Sequence, residues 1–175
     1  MADEPTMLTP GEVADLLGAM TTIVRTELTA LPERAVNWHP GPDEWCVKEA
    51  LGHIIEAERR GFAGRILTML QQDEPDLLGW DQAAVERERN DCARDLNDLL
   101  DEFTRMRSES CDLVCGLSDA DLQRGGMHPH VGYLRVSDLL HEWIFHDRNH
   151  VQQMLANLQS YVFPLMGNSQ GFAGE

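Results

Sequence analysis

Four stretches of the 175-residue chain carry apolar residues at the alternating spacings of three and four that an amphipathic helix requires. The first begins after Thr9-Pro10-Gly11-Glu12, a capping box with proline in the first turn, and ends before Pro32. The others run from about Cys46 to Gln72, from about Asn90 to Leu117, and from a capping Ser137 to about Tyr161. No segment predicts a convincing strand. The pattern therefore predicts an all-α protein, a four-helix bundle.

Two sizeable connections join these helices. Residues 32–45 are rich in proline and glycine and carry Trp38 and Trp45, which either pack over the end of the core, the favoured interpretation, or wall the mouth of a pocket. Residues 73–90 predict a loop or a broken short helix. The length suits a single domain over residues 1–175, with the core at about 9–163 and a flexible tail at 164–175.

The charge of the chain narrows the choice of partners. The formal net charge is -16, which argues against binding to nucleic acid or to anionic membrane surfaces, since both require positive patches. No apolar run is long enough to span a bilayer, and the N-terminus lacks the features of a secretory signal. These observations predict a soluble, cytoplasmic protein and say little about small-molecule substrates.

The four cysteines do not form a CxxC pair. Cys92 and Cys111 fall in the apolar helical pattern, so we interpret them as buried thiols in a reducing compartment. Cys111 and Cys115 are four residues apart and share a helix face. They could pair at a metal, but ordinary packing is favoured because the pattern places no histidine or further cysteine near them.

The fourth helix carries the clearest candidate chemistry, in the run from His141 to His150. His146 and His150 are four apart, so both imidazoles project from one face and can bind one divalent metal. His141 falls on the far side of the helix and is excluded as a ligand. Asp147 points into the apolar sector and needs a partner, either an arginine, a loop backbone or a ligand histidine; a structural role is favoured.

The second helix offers a third ligand. A polar stripe in its first half becomes apolar in its second half, which indicates a polar island at one end of a buried seam. His53 lies in this island and is the expected third ligand. Glu49 and Glu56 flank it and are candidates for a general base or for a group that orients a ligand, with a solvated face as the alternative. His128 and His130 follow Gly125-Gly126 in a predicted loop that could approach the pocket.

Two motifs resemble the DinB/YfiT-like superfamily. Residues 42–53 are similar to its entry into helix two, which runs tryptophan, a small capping residue, Val or Ile, Lys-Glu and Leu-x-His. Residues 132–153 are similar to its helix-four pattern of His-x3-His followed by glutamine. Cys46 stands where serine is common, which weakens the helix cap. The resemblance implies a four-helix bundle in which His53, His146 and His150 hold a divalent metal, zinc or nickel.

Three neutral imidazoles leave coordination positions open on such a metal, which can lower the pKa of a bound water or thiol. The resemblance implies a metal-dependent thiol S-transferase that uses a low-molecular-weight thiol, such as bacillithiol or mycothiol, and a small electrophile. The alternatives are a hydrolase with a metal-bound hydroxide, and a non-catalytic metal-binding stress-response protein. The long helical seams are also compatible with a homodimer.

Overall fold

Four long helical segments lie side by side and share one hydrophobic core. The computed structural model describes residues 5–174. The four segments are α1 (Pro10–Ala30), a second segment from Val47 to Gln71, α6 (Leu96–Cys115) and α8 (Val136–Val162). α1 and the second segment each pack against both α6 and α8. The predicted four-helix bundle is therefore confirmed.

Shorter elements fill the connections. They are α2 (Glu33–Val36), α5 (Gln82–Arg89), a 3-10 turn (Asp91–Ala93), α7 (Asp119–Gln123) and C-terminal 3-10 turns (Phe163–Gly174). α5 is the broken short helix that the sequence predicted within residues 73–90. Within residues 5–174, no helix combines the length and the apolar character that crossing a membrane demands.

The second helical segment contains a π-turn that the sequence pattern did not predict. It consists of α3 (Val47–Glu56), the π-turn (Ala57–Phe62) and α4 (Ala63–Gln71). A π-turn adds one residue to the helix, which rotates the following faces by roughly 100° relative to a regular helix. Glu58, which lies inside the π-turn and follows the buried Ile54 by four residues, is fully buried in the bundle.

Two of the predicted helix starts were wrong. The third helix begins at Leu96, where Asp95 accepts from the backbone N–H of Asn97 at 2.8 Å, rather than near Asn90. Cys92 consequently lies in the 3-10 turn before the helix and is only half-buried, and Cys111 is likewise half-buried. α8 begins after Arg135, whose backbone N–H donates to Asp138 at 2.9 Å; Ser137, the predicted cap, is buried inside the first turn.

The expectation that the chain has no strand was also wrong. Strands β1 (Gly125–His128) and β2 (Gly132–Arg135) form an antiparallel hairpin in which Gly125 pairs with Arg135. A Cβ atom on Gly125 would lie 2.4 Å from the carbonyl oxygen of Leu134, and one on Gly126 would lie 2.5 Å from that of Pro75. Glycine at both positions therefore allows the backbones to approach, which a search for apolar alternation does not detect.

Two clusters of buried apolar side chains form the two halves of the core. Leu51, Ile54, Leu99, Leu100 and Phe103 are fully buried in one half, and Ile66, Met69, Leu139 and Trp143 in the other. Trp45 packs against the first half, in agreement with the favoured interpretation. Trp38 lies edge-on to Tyr161 with ring centres 5.5 Å apart.

Candidate metal centre

Three histidines from two helices meet between α3 and α8. His53 projects from α3, and His146 and His150 project from successive turns of α8; one ring nitrogen from each lies within 4.8 Å of the other two. Nε2 of His53 is 3.0 Å from Nε2 of His146, and the His53 ring centre is 4.4 Å from that of His150. The structure thus brings together the three residues that the sequence singled out as ligands.

Burial favours the neutral form of two of these imidazoles, those of His53 and His150. Burial, followed by repulsion from His150 and His146, lowers the pKa of His53 to about 3. Burial also lowers the pKa of His150. Nδ1 of His150 lies 2.9 Å from the side-chain oxygen of Gln153, an acceptor, so Nδ1 carries the proton and the lone pair is on Nε2. A neutral imidazole with a fixed tautomer is the form that binds metals.

The dimensions of the cluster fit a divalent metal. Nitrogen ligands about 2.0–2.1 Å from a tetrahedral ion lie roughly 3.3 Å from each other, close to the 3.0 Å that separates His53 from His146. Nδ1 of His53 and Nδ1 of His146 are buried and have no hydrogen-bond partner among residues 5–174. Three histidine nitrogens this close together, with no carboxylate among them, match the donor set and the spacing of a site for one divalent cation.

Arg107, Glu58 and Asp147 form a buried ion-pair network next to His146. Nε and Nη2 of Arg107 donate to Oε2 of Glu58 at 3.0 and 2.9 Å, and Nη1 lies 2.6 Å from Oδ2 of Asp147. All three side chains are at most 2% exposed. Burial acts against the charge of Arg107, but Asp147 and Glu58 outweigh it and raise its pKa. The favoured structural role of Asp147 is borne out by this arginine partner.

Asp147 also lies beside the three-histidine cluster. Its Oδ1 lies 3.6 Å from Nδ1 of His146, which is too long for a hydrogen bond but leaves the two groups adjacent in a buried space. Neither carboxylate oxygen has a hydrogen bond of acceptable angle within the described residues. A small rotation would therefore let the Nδ1–H of His146 donate to Asp147, the arrangement that commonly orients a metal-bound histidine.

Aromatic rings cover the histidines. The ring centre of Trp45 lies 5.0 Å from that of His53 and 6.1 Å from that of His150, and Trp80 stacks on His53 at 5.9 Å. Phe62 meets His146 edge-on at 5.2 Å. Trp45, Trp80 and His53 line one narrow cleft with a cavity volume of about 10 Å³. Trp45 therefore both packs on the core and forms a wall of the cleft.

Glu56 lies in a cluster of arginines beside this cleft. Its carboxylate pairs with Arg59, accepts from Nε of Arg60 at 2.7 Å and from Nη1 of Arg89 at 2.8 Å. Burial acts to raise the pKa of Glu56, but hydrogen bonds from Arg60 and Arg89 lower it overall. An ionised, ion-paired carboxylate is a weak base, so this geometry favours a role in anchoring arginines.

Glu49 lies one turn before His53 and caps α3. Its Oε2 accepts from the backbone N–H of Cys46 at 2.8 Å and lies 2.9 Å from Nε2 of His39. Burial acts to raise the pKa of Glu49, but the bond from Cys46 and contacts with Cys92 and His39 lower it overall. Glu49 thus contributes the helix cap that the replacement of serine by Cys46 was expected to weaken.

The remaining histidines lie apart from the cluster. Nε2 of His141 accepts from the backbone N–H of Leu8 at 3.1 Å, and its Nδ1 donates to the carbonyl of Ser137 at 2.7 Å. Its exclusion as a ligand agrees with this structural role. His128 is in the hairpin, where its Nε2 accepts from Arg65 at 3.1 Å, and its ring centre is 5.8 Å from that of His130.

Comparison with known proteins matches both the bundle and its family. The chain has the fold of YfiT from Bacillus subtilis, described as a probable metal-dependent hydrolase with an unusual four-helix bundle topology. The TM-score is 0.80 at 13% sequence identity, over 91% of this chain and 92% of that one. The comparison with curated proteins gives no significant match. The family model of the DinB superfamily matches residues 16–154. The chain belongs to the DinB superfamily.

Proposed function

We propose that this protein is a divalent-metal-dependent enzyme that transfers a low-molecular-weight thiol to a small electrophile. The observation that carries the proposal is the convergence of His53, His146 and His150, all within 4.8 Å, beside a cleft walled by tryptophan. When bound there, the metal supplies a charge of +2 that favours a thiolate or hydroxide at neutral pH.

The side chains of the protein supply orientation and exclusion of water. Gln153 fixes the tautomer of His150 through the 2.9 Å contact with Nδ1. Asp147, held by Arg107, lies on the Nδ1 side of His146 and positions that ring. Trp45 and Trp80 cover His53 and limit the access of bulk water. None of these groups takes up a proton. The thiol would release its proton to solvent on binding, and the new carbon–sulfur bond would replace either a carbon–oxygen bond of an epoxide, whose oxygen then takes a proton from water, or a carbon–halogen bond, whose halide leaves.

The cleft indicates the class of electrophile. Its cavity volume is only about 10 Å³, room for roughly one water molecule, so a substrate enters only if the lining side chains move, and a small substrate is expected. Its walls combine aromatic rings with Arg89 and with four carboxylates, so the charged part of the lining is acidic overall; the carboxylates are those of Glu49, Glu56, Glu86 and Asp91. These features favour a compact, largely apolar electrophile, such as an epoxide or a haloarene, over a large or multiply charged one.

A metal-dependent hydrolase is the second candidate. The similarity of the bundle to YfiT, described as a probable metal-dependent hydrolase, favours it. The same three donors serve a bound hydroxide as well as a thiolate. The third hypothesis that the sequence leaves open is a non-catalytic metal-binding protein.

The test is an assay of metal-free protein reconstituted with zinc or nickel. We expect metal-dependent consumption of thiol with an epoxide or haloarene, abolished by His53→Ala and kept by His130→Ala, whose histidine lies outside the cluster. Cleavage of an ester or amide without thiol would instead favour the hydrolase. Stoichiometric metal without turnover in either assay would overturn both enzymatic proposals.

A further inference from the structure

A second group of metal-type ligands lies at the start of α3, outside the three-histidine cluster. It combines His39, Cys46, Glu49 and Cys92, and one ligand atom of each lies within 4.8 Å of the others. Nε2 of His39 is 2.9 Å from Oε2 of Glu49 and 3.7 Å from Sγ of Cys92. We propose that these four side chains form a structural zinc site.

The donor types favour zinc. Two thiols, one imidazole and one carboxylate are all ligands that Zn²⁺ takes, and four protein ligands close its tetrahedral shell. Sulfur donors select zinc over magnesium and calcium, which prefer oxygen. On binding, two zinc–sulfur bonds form and the two thiol protons pass to solvent. Because no coordination position stays open, this site stabilises the fold and does no chemistry.

The present spacing is close to that of a loaded site. Sulfur ligands of a tetrahedral zinc lie about 3.8 Å apart, and nitrogen and oxygen ligands about 3.4 Å apart. Starting from ligand atoms within 4.8 Å, each needs to shift by only about 1 Å or less. The side chain of His39 is 41% exposed, so it can make such a shift without disturbing the core.

The backbone around the site is already braced. The ligands come from three segments: the connection before α3, the first turn of α3, and the 3-10 turn that carries Cys92. Lys48 is buried, and its Nζ donates to the carbonyl oxygens of Cys92 at 3.2 Å and Arg94 at 2.7 Å. This contact ties the 3-10 turn to α3 and holds Cys92 beside Cys46.

A zinc here would also support the three-histidine centre. Trp45 is adjacent to Cys46 and covers His53 and His150, with ring centres 5.0 and 6.1 Å away. Fixing Cys46 fixes this wall. Glu49, a candidate base by sequence, becomes a zinc ligand. The inference goes beyond the proposed function and does not depend on it.

The test is a titration of reduced, metal-free, full-length protein with Co²⁺, followed by absorption spectroscopy. A thiolate–cobalt bond gives a near-ultraviolet charge-transfer band, which three imidazoles cannot give. We expect this band to saturate at about one Co²⁺ per chain and to persist in the His146→Ala/His150→Ala double variant. It should lose about half of its intensity in Cys92→Ser, which keeps only the Cys46 thiolate, and vanish in Cys46→Ser/Cys92→Ser. It should persist in the matched control Cys115→Ser, whose cysteine is exposed and outside the cluster.

A second variant guards against misfolding of Cys92→Ser, which circular dichroism will detect. His39→Ala alters only a half-exposed surface side chain. We expect it to raise the Co²⁺ dissociation constant, measured from this band, by at least about tenfold. The proposal is overturned if the parent shows no charge-transfer band, if the band keeps its full intensity in Cys92→Ser, or if Co²⁺ affinity in His39→Ala equals that of the parent. A Cys46–Cys92 disulfide in protein prepared under reducing conditions would also overturn it.

Discussion

Nη1 of Arg107 lies 2.6 Å from Oδ2 of Asp147, and both side chains are at most 2% exposed. Two charges are rarely buried in a bundle core unless they are paired. The pair also lies beside the three-histidine cluster, because the other carboxylate oxygen of Asp147 is 3.6 Å from Nδ1 of His146. The relationship leads to separate predictions for metal affinity and for stability.

Asp147→Asn should weaken metal binding. The amide keeps the shape but removes the negative charge beside His146, so we expect the metal dissociation constant to rise about 10–100-fold. Competition with a chromophoric chelator measures it. The control is Asp101→Asn, which removes a carboxylate with a 73% exposed side chain that pairs with Arg25 on the surface. Equal affinities for parent and Asp147→Asn would show that Asp147 does not act on the metal centre.

Arg107→Met should destabilise the fold strongly. It leaves Glu58 and Asp147 buried without their cation, and breaking a buried pair costs about 3–5 kcal/mol. Urea unfolding of the metal-free protein measures the loss. Arg105→Met, on the same helix, removes only an exposed pair with Glu109 at 3.4 Å and should change stability little. Similar losses in the two variants would contradict the role given to the network.

The metal-free protein should lose stability as the pH falls below about 6.5. Burial lowers the pKa of His53 to about 3, whereas the unfolded chain binds this proton near its ordinary value of 6.5. The unfolded state therefore binds more protons between these values, and acidification favours it. His53→Gln should reduce this slope by at most about 1.4 kcal/mol per pH unit. Parallel stability–pH curves for parent and variant would contradict the prediction.

Gly52→Ala should disturb the cleft. A Cβ on Gly52 would lie 1.7 Å from Oδ2 of Asp91, whose carboxylate is fixed by Arg89 at 2.7 Å. We expect a loss of about 1–3 kcal/mol, the range of overpacked sites. Gly18→Ala is the matched control, because its Cβ would meet no atom closer than 4.0 Å and alanine favours the helix. Thermal unfolding of the two variants compares them, and equal stability would refute the steric argument.

Much of the centre could be predicted because helical spacing determines it. His146 and His150 are one turn apart on a regular helix, so their proximity follows from the sequence alone. The prediction of His53 also required that the second helical segment face α8 across the bundle, which the resemblance supplied. The need of Asp147 for a partner followed from its place in an apolar sector, and Arg107 is that partner.

What could not be predicted depends on irregular backbone. A regular 3.6-residue period does not reveal the π-turn at Ala57–Phe62. Arg107 left a signal, since it follows Phe103 by four residues in an apolar seam and is buried with it. The meeting of His39 with Cys92 depends on two loops, for which the sequence gives no spacing rule.

The metal content of the Cys46→Ser/Cys92→Ser protein, with and without His146→Ala, tests the three-histidine centre most directly. The Cys46→Ser/Cys92→Ser background removes the contribution of the proposed structural zinc. Purified without added metal and measured by elemental analysis, it should hold about one divalent ion per chain, and the added His146→Ala should reduce this to nearly none. Retention of stoichiometric metal in the variant that also carries His146→Ala would contradict the centre formed by His53, His146 and His150.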